Sequence, residues 1–74
     1  MNRFDAAQAV KERVSLRRLL KIWEGRRYSF RTKCGLQIKV SSGYFDSCHG
    51  YFVTLHNLQG KFVDQYFYSP AAFS

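Results

Sequence analysis

At 74 residues, 46% apolar and 18% aromatic, the chain suits one small α+β domain over 1–74, close to the size where a single core only just suffices. The net charge of +7 is lopsided: residues 1–40 hold eleven Lys/Arg against three Asp/Glu, and residues 41–74 one Lys against two Asp. A field of one sign in one half points to a polyanionic partner, whereas no apolar run nears the ~20 residues that span a bilayer.

Residues 4–24 read as helical, with Asp5 placed for the first turn. The apolar stripe changes face along this region. Phe4, Ala7, Val10 and Val14 fall on one arc of a helical wheel, and Leu16, Leu19, Leu20 and Trp23 on the opposite one. One straight helix cannot bury both sets against one sheet. The spacing therefore predicts a break at Val14-Ser15, with Ser15 capping a second helix that ends at Gly25. The competing reading is one continuous helix whose N-terminal half docks on another molecule. The run Val10-Lys11-Glu12-Arg13-Val14-Ser15-Leu16 faintly resembles the opening helices of bacterial primase zinc-binding domains. The metal ligands of those domains are missing here, and the likeness implies nothing about function.

Two later stretches read as hairpins. Thr32-Lys33-Cys34-Gly35 and Asn57-Leu58-Gln59-Gly60 both have the spacing of a type I turn closed by a glycine at positive φ. The first pairs Tyr28 with Val40 and Phe30 with Ile38. The second pairs Leu55 with Val63, Val53 with Gln65 and Tyr51 with Phe67, which turns Tyr51, Val53, Leu55, Val63 and Phe67 inward. Ser47-Cys48-His49-Gly50 offers a third turn of the same form, pairing Phe45 with Val53. That pairing demands a parity change, for which a bulge at Ser41-Ser42-Gly43 is predicted. The fold expected is a broken N-terminal helix packed on a four-stranded antiparallel meander, with strands near 26–32, 36–47, 51–57 and 61–68. Pro70 ends the sheet, and the tail 69–74 carries no signal.

Candidate chemistry is sparse. Cys34, Cys48, His49 and His56 are metal-ligand types, but their spacing fits no zinc pattern and the meander holds them at opposite ends of the sheet. No metal or cofactor is expected. Arginine, His and Tyr on a small sheet also occur in small ribonuclease toxins, yet no base here pairs with a nucleophile, so an enzyme is not expected.

The reading that remains is a binding module. Arg17, Arg18, Lys21, Arg26, Arg27, Arg31, Lys33 and Lys39 are the predicted nucleic-acid-binding residues, although a charge run on a helix is often only a wet face. Tyr44, Phe52, His56, Phe62, Tyr66 and Tyr68 are the predicted aromatic contact face. The partner expected is DNA or RNA, met through its phosphate backbone with weak sequence specificity. The alternative is an acidic protein surface or other protein partner, the chain acting as an interaction or inhibitor protein of phage or mobile-element type. A second copy of the chain could cover the same apolar surface. Met1–Lys11 lacks the apolar core of a signal peptide, so a cytoplasmic location with two reduced cysteines is expected.

Overall fold

The computed structural model describes residues 5–74. Two helices, α1 (Ala6–Arg13) and α2 (Leu16–Trp23), precede four strands: β1 (Tyr28–Arg31), β2 (Gln37–Phe45), β3 (Cys48–His56) and β4 (Phe62–Tyr68). A 3-10 turn over Pro70–Phe73 follows. The strands form one antiparallel sheet in the order β1-β2-β3-β4, so the fold is α+β with a meander.

The helical region breaks where the wheel demands it. Asp5 accepts the Gln8 amide at 3.2 Å to start α1, and Ser15 accepts the Arg18 amide at 3.1 Å to start α2. Between them Val14 and Ser15 are extended. At the far end Gly25 takes a φ of +117°, and the amides of Gly25 and Arg26 return to the carbonyls of Ile22 and Lys21, a Schellman closure. The expected start at Phe4 lies outside the described residues.

The burial of α2 departs from the expected arc. Leu19 and Ile22 are buried and Trp23 is half-buried, whereas Leu16 and Leu20 are 69% and 64% exposed. The break gives each eight-residue helix its own rotation, so α2 presents Leu19, Ile22 and Trp23 to the sheet rather than the arc centred on Leu16 and Leu20. From α1, Ala6 and Val10 are buried, with Val14 in the link. These meet Phe30, Ile38, Val40, Tyr51, Val53 and Leu55 from one face of the sheet. The tail, silent in the sequence, contributes Phe73, which is buried edge-on against Tyr51 and Tyr68 at 5.3 and 5.6 Å.

Two of the three predicted turns form. Gly35 and Gly60 have φ of +88° and +84°, and Thr32 and Asn57 each receive the amide three residues on. The middle turn is different: Phe45 pairs with Cys48, and Asp46-Ser47 make a two-residue loop with φ of 53° and 66°, the type I′ geometry. The β2–β3 ladder then runs unbroken from Gln37–His56 to Phe45–Cys48, setting Val40 opposite Val53. The bulge predicted at Ser41–Gly43 is absent because this turn needs no parity change. An irregularity lies instead between β3 and β4, where Leu55 faces Asp64 and His56 faces Phe62, leaving Val63 over. It shifts the parity of β4, so Val63 and Phe67 do not share the inward face; Tyr66 and Tyr68 pair with Val53 and Tyr51 instead.

Tyr51 ties three layers together. Its hydroxyl donates to the Leu19 carbonyl of α2 at 3.0 Å, while its ring touches Trp23 and Phe73. Burial pushes the Tyr51 phenol up from its ordinary value. The Tyr68 phenol is also raised, by burial, with an opposing hydrogen bond to the Ala7 backbone and a smaller upward push from Asp5. The folded state thus keeps protons that the unfolded chain gives up near pH 10, so stability is full below that value and falls as pH climbs through the folded-state values. Tyr51→Phe is expected to cost about 0.5–1.5 kcal/mol in neutral urea melts and to reduce the alkaline loss, leaving the part due to Tyr68. Ser47→Gly should stabilise by up to about 1 kcal/mol in the same melts, since glycine accepts a positive φ without a Cβ penalty.

Candidate functional site

Both helices lie on one side of the sheet, and the opposite face carries no element of the described chain. Directly paired residues share a face, so the register assigns that open surface row by row. Arg31, Gln37, His56 and Phe62 form one row, and Ser29, Lys39, Thr54 and Gln65 the next. Ser41, Phe52 and Phe67 form a third, followed by the glycine pair Gly43–Gly50 and then by Phe45–Cys48.

Two aromatic groups stand on this face. Phe67 touches Phe52 at 5.0 Å and Phe45 at 5.5 Å, making a trio over the β2–β3 end. His56 and Phe62 pair edge-on at 6.2 Å near the other end. The row between them is polar, and the Gln65 amide donates to the Thr54 hydroxyl at 2.9 Å. Phe45 and Phe62 remain about 60% exposed.

The glycine pair sets the height of the trio. A Cβ on Gly43 would lie 2.8 Å from the Phe52 ring. One on Gly50 would meet both the Phe67 ring and the Tyr68 carbonyl at 2.5 Å. Both rings therefore lie down on bare backbone, as aromatics do over strand glycines.

The predicted aromatic face is thus brought together in part. Phe52, His56 and Phe62 share the open face, whereas Tyr44, Tyr66 and Tyr68 belong to the helix-bearing face. Tyr44 stacks on His49 at 4.6 Å, and His49 lies 3.7 Å from Trp23. The turn at Asp46-Ser47 moved Tyr44, and the extra residue Val63 moved Tyr66 and Tyr68. The same two shifts put Phe45 and Phe67 on the open face instead of the inward face expected from alternation. A signal for this existed: Gly43 and Gly50 are equidistant from Asp46-Ser47, as a two-residue hairpin requires.

The predicted basic residues are all exposed but do not form one surface. Arg17, Arg18 and Lys21 lie together beside Ser15 on α2. Lys33, in the β1–β2 turn, borders a cavity on the helix side with Glu12 and Arg13. Arg31 and Lys39 belong to the open face, and Arg27 reaches it by bordering a depression there with Ser29, Lys39, Ser41 and Thr54. Arg26 follows Gly25 in the link to β1. What joins the two sides is the β1 edge. The Arg18 guanidinium lies 4.3 Å over the Tyr28 ring and that of Arg13 5.0 Å over Phe30, with Arg13 also donating to the Arg31 carbonyl at 3.1 Å. Cations thereby cap an edge strand that would otherwise offer free backbone groups.

Cys34 and Cys48 are free exposed thiols near opposite ends of the sheet, and among the described residues no cluster of metal-ligand types converges. Among the described residues no helix is long and apolar enough to cross a membrane. Comparison with family models, curated proteins and solved structures yields no match.

Gly50→Ala tests the site's architecture. It is expected to cost about 1–3 kcal/mol, because the nearest obstruction includes the backbone of β4 and cannot rotate away. Gly43→Ala, opposed only by the Phe52 ring, should cost less in the same urea melts and chiefly displace that ring.

Proposed function

We propose that the protein is a non-enzymatic module that binds single-stranded nucleic acid across the open face of its sheet. The supporting observation is the trio Phe45–Phe67–Phe52 on a face that also carries Arg31, Lys39 and the rim residue Arg27. Flat rings stack on unpaired bases with little regard for sequence, while neighbouring cations follow the phosphates. Arg17, Arg18 and Lys21, on the helix side of the β1 edge, extend the positive field and serve encounter more than contact. DNA and RNA share the chemistry used here.

A second reading rests on a different place. Leu16 and Leu20 border an apolar groove of about 280 Å³ with Leu19, Tyr51, Pro70 and Phe73. An exposed groove of this kind suits an apolar anchor from a protein partner.

Titration of a labelled oligothymidylate or oligouridylate of about a dozen nucleotides separates the two readings. On the first, log K should fall linearly with log salt, by about 0.7 per phosphate contacted. Phe52→Ala should then weaken binding by about 1–3 kcal/mol, and Leu20→Ser should leave it unchanged. Failure of both oligonucleotides to bind at low salt would remove the nucleic-acid reading.

A further inference from the structure

The depression on the open face has a composition of its own. It measures about 340 Å³ and is lined by Arg27, Ser29, Lys39, Ser41 and Thr54 of the open side, together with Tyr28 and Val40, a pair whose register assigns them to the helix side. Three short hydroxyl residues make a low floor between taller neighbours, with a guanidinium and an ammonium at the rim. The Thr54 oxygen already accepts from the Gln65 amide, which leaves its own proton to be donated elsewhere. Each of the five open-side side chains can therefore donate, and no residue of the lining is an acid. The nearby carboxylate Asp64 pairs with Leu55 on the opposite face, and its oxygen accepts from the Gln65 backbone N–H.

We propose that this depression is a phosphodiester subsite, and that Phe52 is the stacking platform for the base of the same nucleotide. The proposal rests on the single-stranded nucleic-acid reading above and specifies where one nucleotide sits. A set of five donors around a shallow bowl suits a tetrahedral anion with several acceptor oxygens better than a planar carboxylate. Ser41 pairs directly with Phe52, so their backbone positions are one strand spacing apart, about 5 Å, and the Phe52 ring leans from there over Gly43 and against Phe67. A nucleotide whose phosphate sits in the bowl has that ring as its nearest flat partner. An acidic peptide would fill the bowl with a carboxylate but would leave the ring without a flat partner.

The test compares thymidine 5′-monophosphate, inorganic phosphate and thymidine by amide and ring chemical shifts, alongside oligonucleotide titrations of Lys39→Gln, Ser41→Val and Phe52→Ala. The monophosphate should shift Ser29, Lys39, Ser41 and Thr54 together with the Phe52 ring, and phosphate the first group only. Ser41→Val keeps strand propensity and fills the floor, and should weaken the oligonucleotide roughly tenfold, the loss of one charge-assisted contact. Lys39→Gln should flatten the salt slope by about 0.7, one phosphate's worth. An oligonucleotide that binds Ser41→Val and Lys39→Gln as tightly as the parent, with an unchanged slope, overturns the subsite and leaves the broader reading standing. An oligonucleotide that fails to bind the parent overturns both. Polyglutamate displacing it with equal strength, independently of Phe52, also overturns the subsite and assigns the bowl to acidic protein.

Discussion

The direct pairing of Val40 with Val53 is the constraint on which the rest depends. Both side chains are fully buried, as is Ile38 beside them, and their common direction decides which side of the two central strands the helices cover. Once that is set, a two-residue loop at Asp46-Ser47 is the only closure that keeps the β2–β3 ladder continuous. Gly43 then falls opposite Gly50, Ser41 opposite Phe52 and Phe45 opposite Cys48. Phe45 and Phe52 are therefore placed by core packing on the far side of the same strands, and the β4 irregularity brings Phe67 to them. A slip of one residue would exchange the two faces and cost the burial of at least four aliphatic side chains, about 1.5–3 kcal/mol each.

The helices were legible because their signals are local. Ser15 is a capping residue between two apolar arcs that point apart, and Gly25 stands where a left-handed residue must end the second helix. The outer hairpins were legible for the same reason, their glycines sitting at the fourth position of a type I turn. The middle hairpin was not, because Gly50 imitates a turn glycine while serving a different purpose. Its missing Cβ makes room for Phe67 and the β4 backbone, which are distant in sequence. The β4 irregularity was equally hidden. Alternation reports parity only within an unbroken strand, and nothing in Phe62-Val63-Asp64 marks Val63 as the residue left over. Phe73 gave no signal since its burial depends on Tyr51 and Tyr68. The errors at the site followed from these two parity shifts rather than from misjudged residue types.

Charge and aromaticity, which alternate along the sequence, are sorted in space by the β1 edge. The helix side of that edge gathers Arg13 and Arg18 over Tyr28 and Phe30, so these cations are partly engaged with rings of their own fold. Three of the five acids are engaged elsewhere: Asp5 caps α1, Glu12 receives the Gln8 side chain, and Asp64 receives the Gln65 backbone N–H. The cations of the open face are consequently set among hydroxyls and rings.

The open face also has a rhythm that narrows what can cover it. A continuous apolar patch is what a protein interface core favours. Here the aromatic trio and the His56–Phe62 pair are separated by the row Ser29, Lys39, Thr54 and Gln65, two strand positions from the His56–Phe62 row on one side and from the Phe52–Phe67 row on the other. Two positions along a strand are about 6.6 Å, so apolar and polar bands repeat at a short, regular step. A partner matching that step must itself alternate flat apolar groups with hydrogen-bonding or charged links. An unpaired nucleic-acid strand has that alternation built into every residue, and a helix or loop of protein acquires it only by design. The banding, more than the charge total, is what favours a strand of bases over a protein surface on this face.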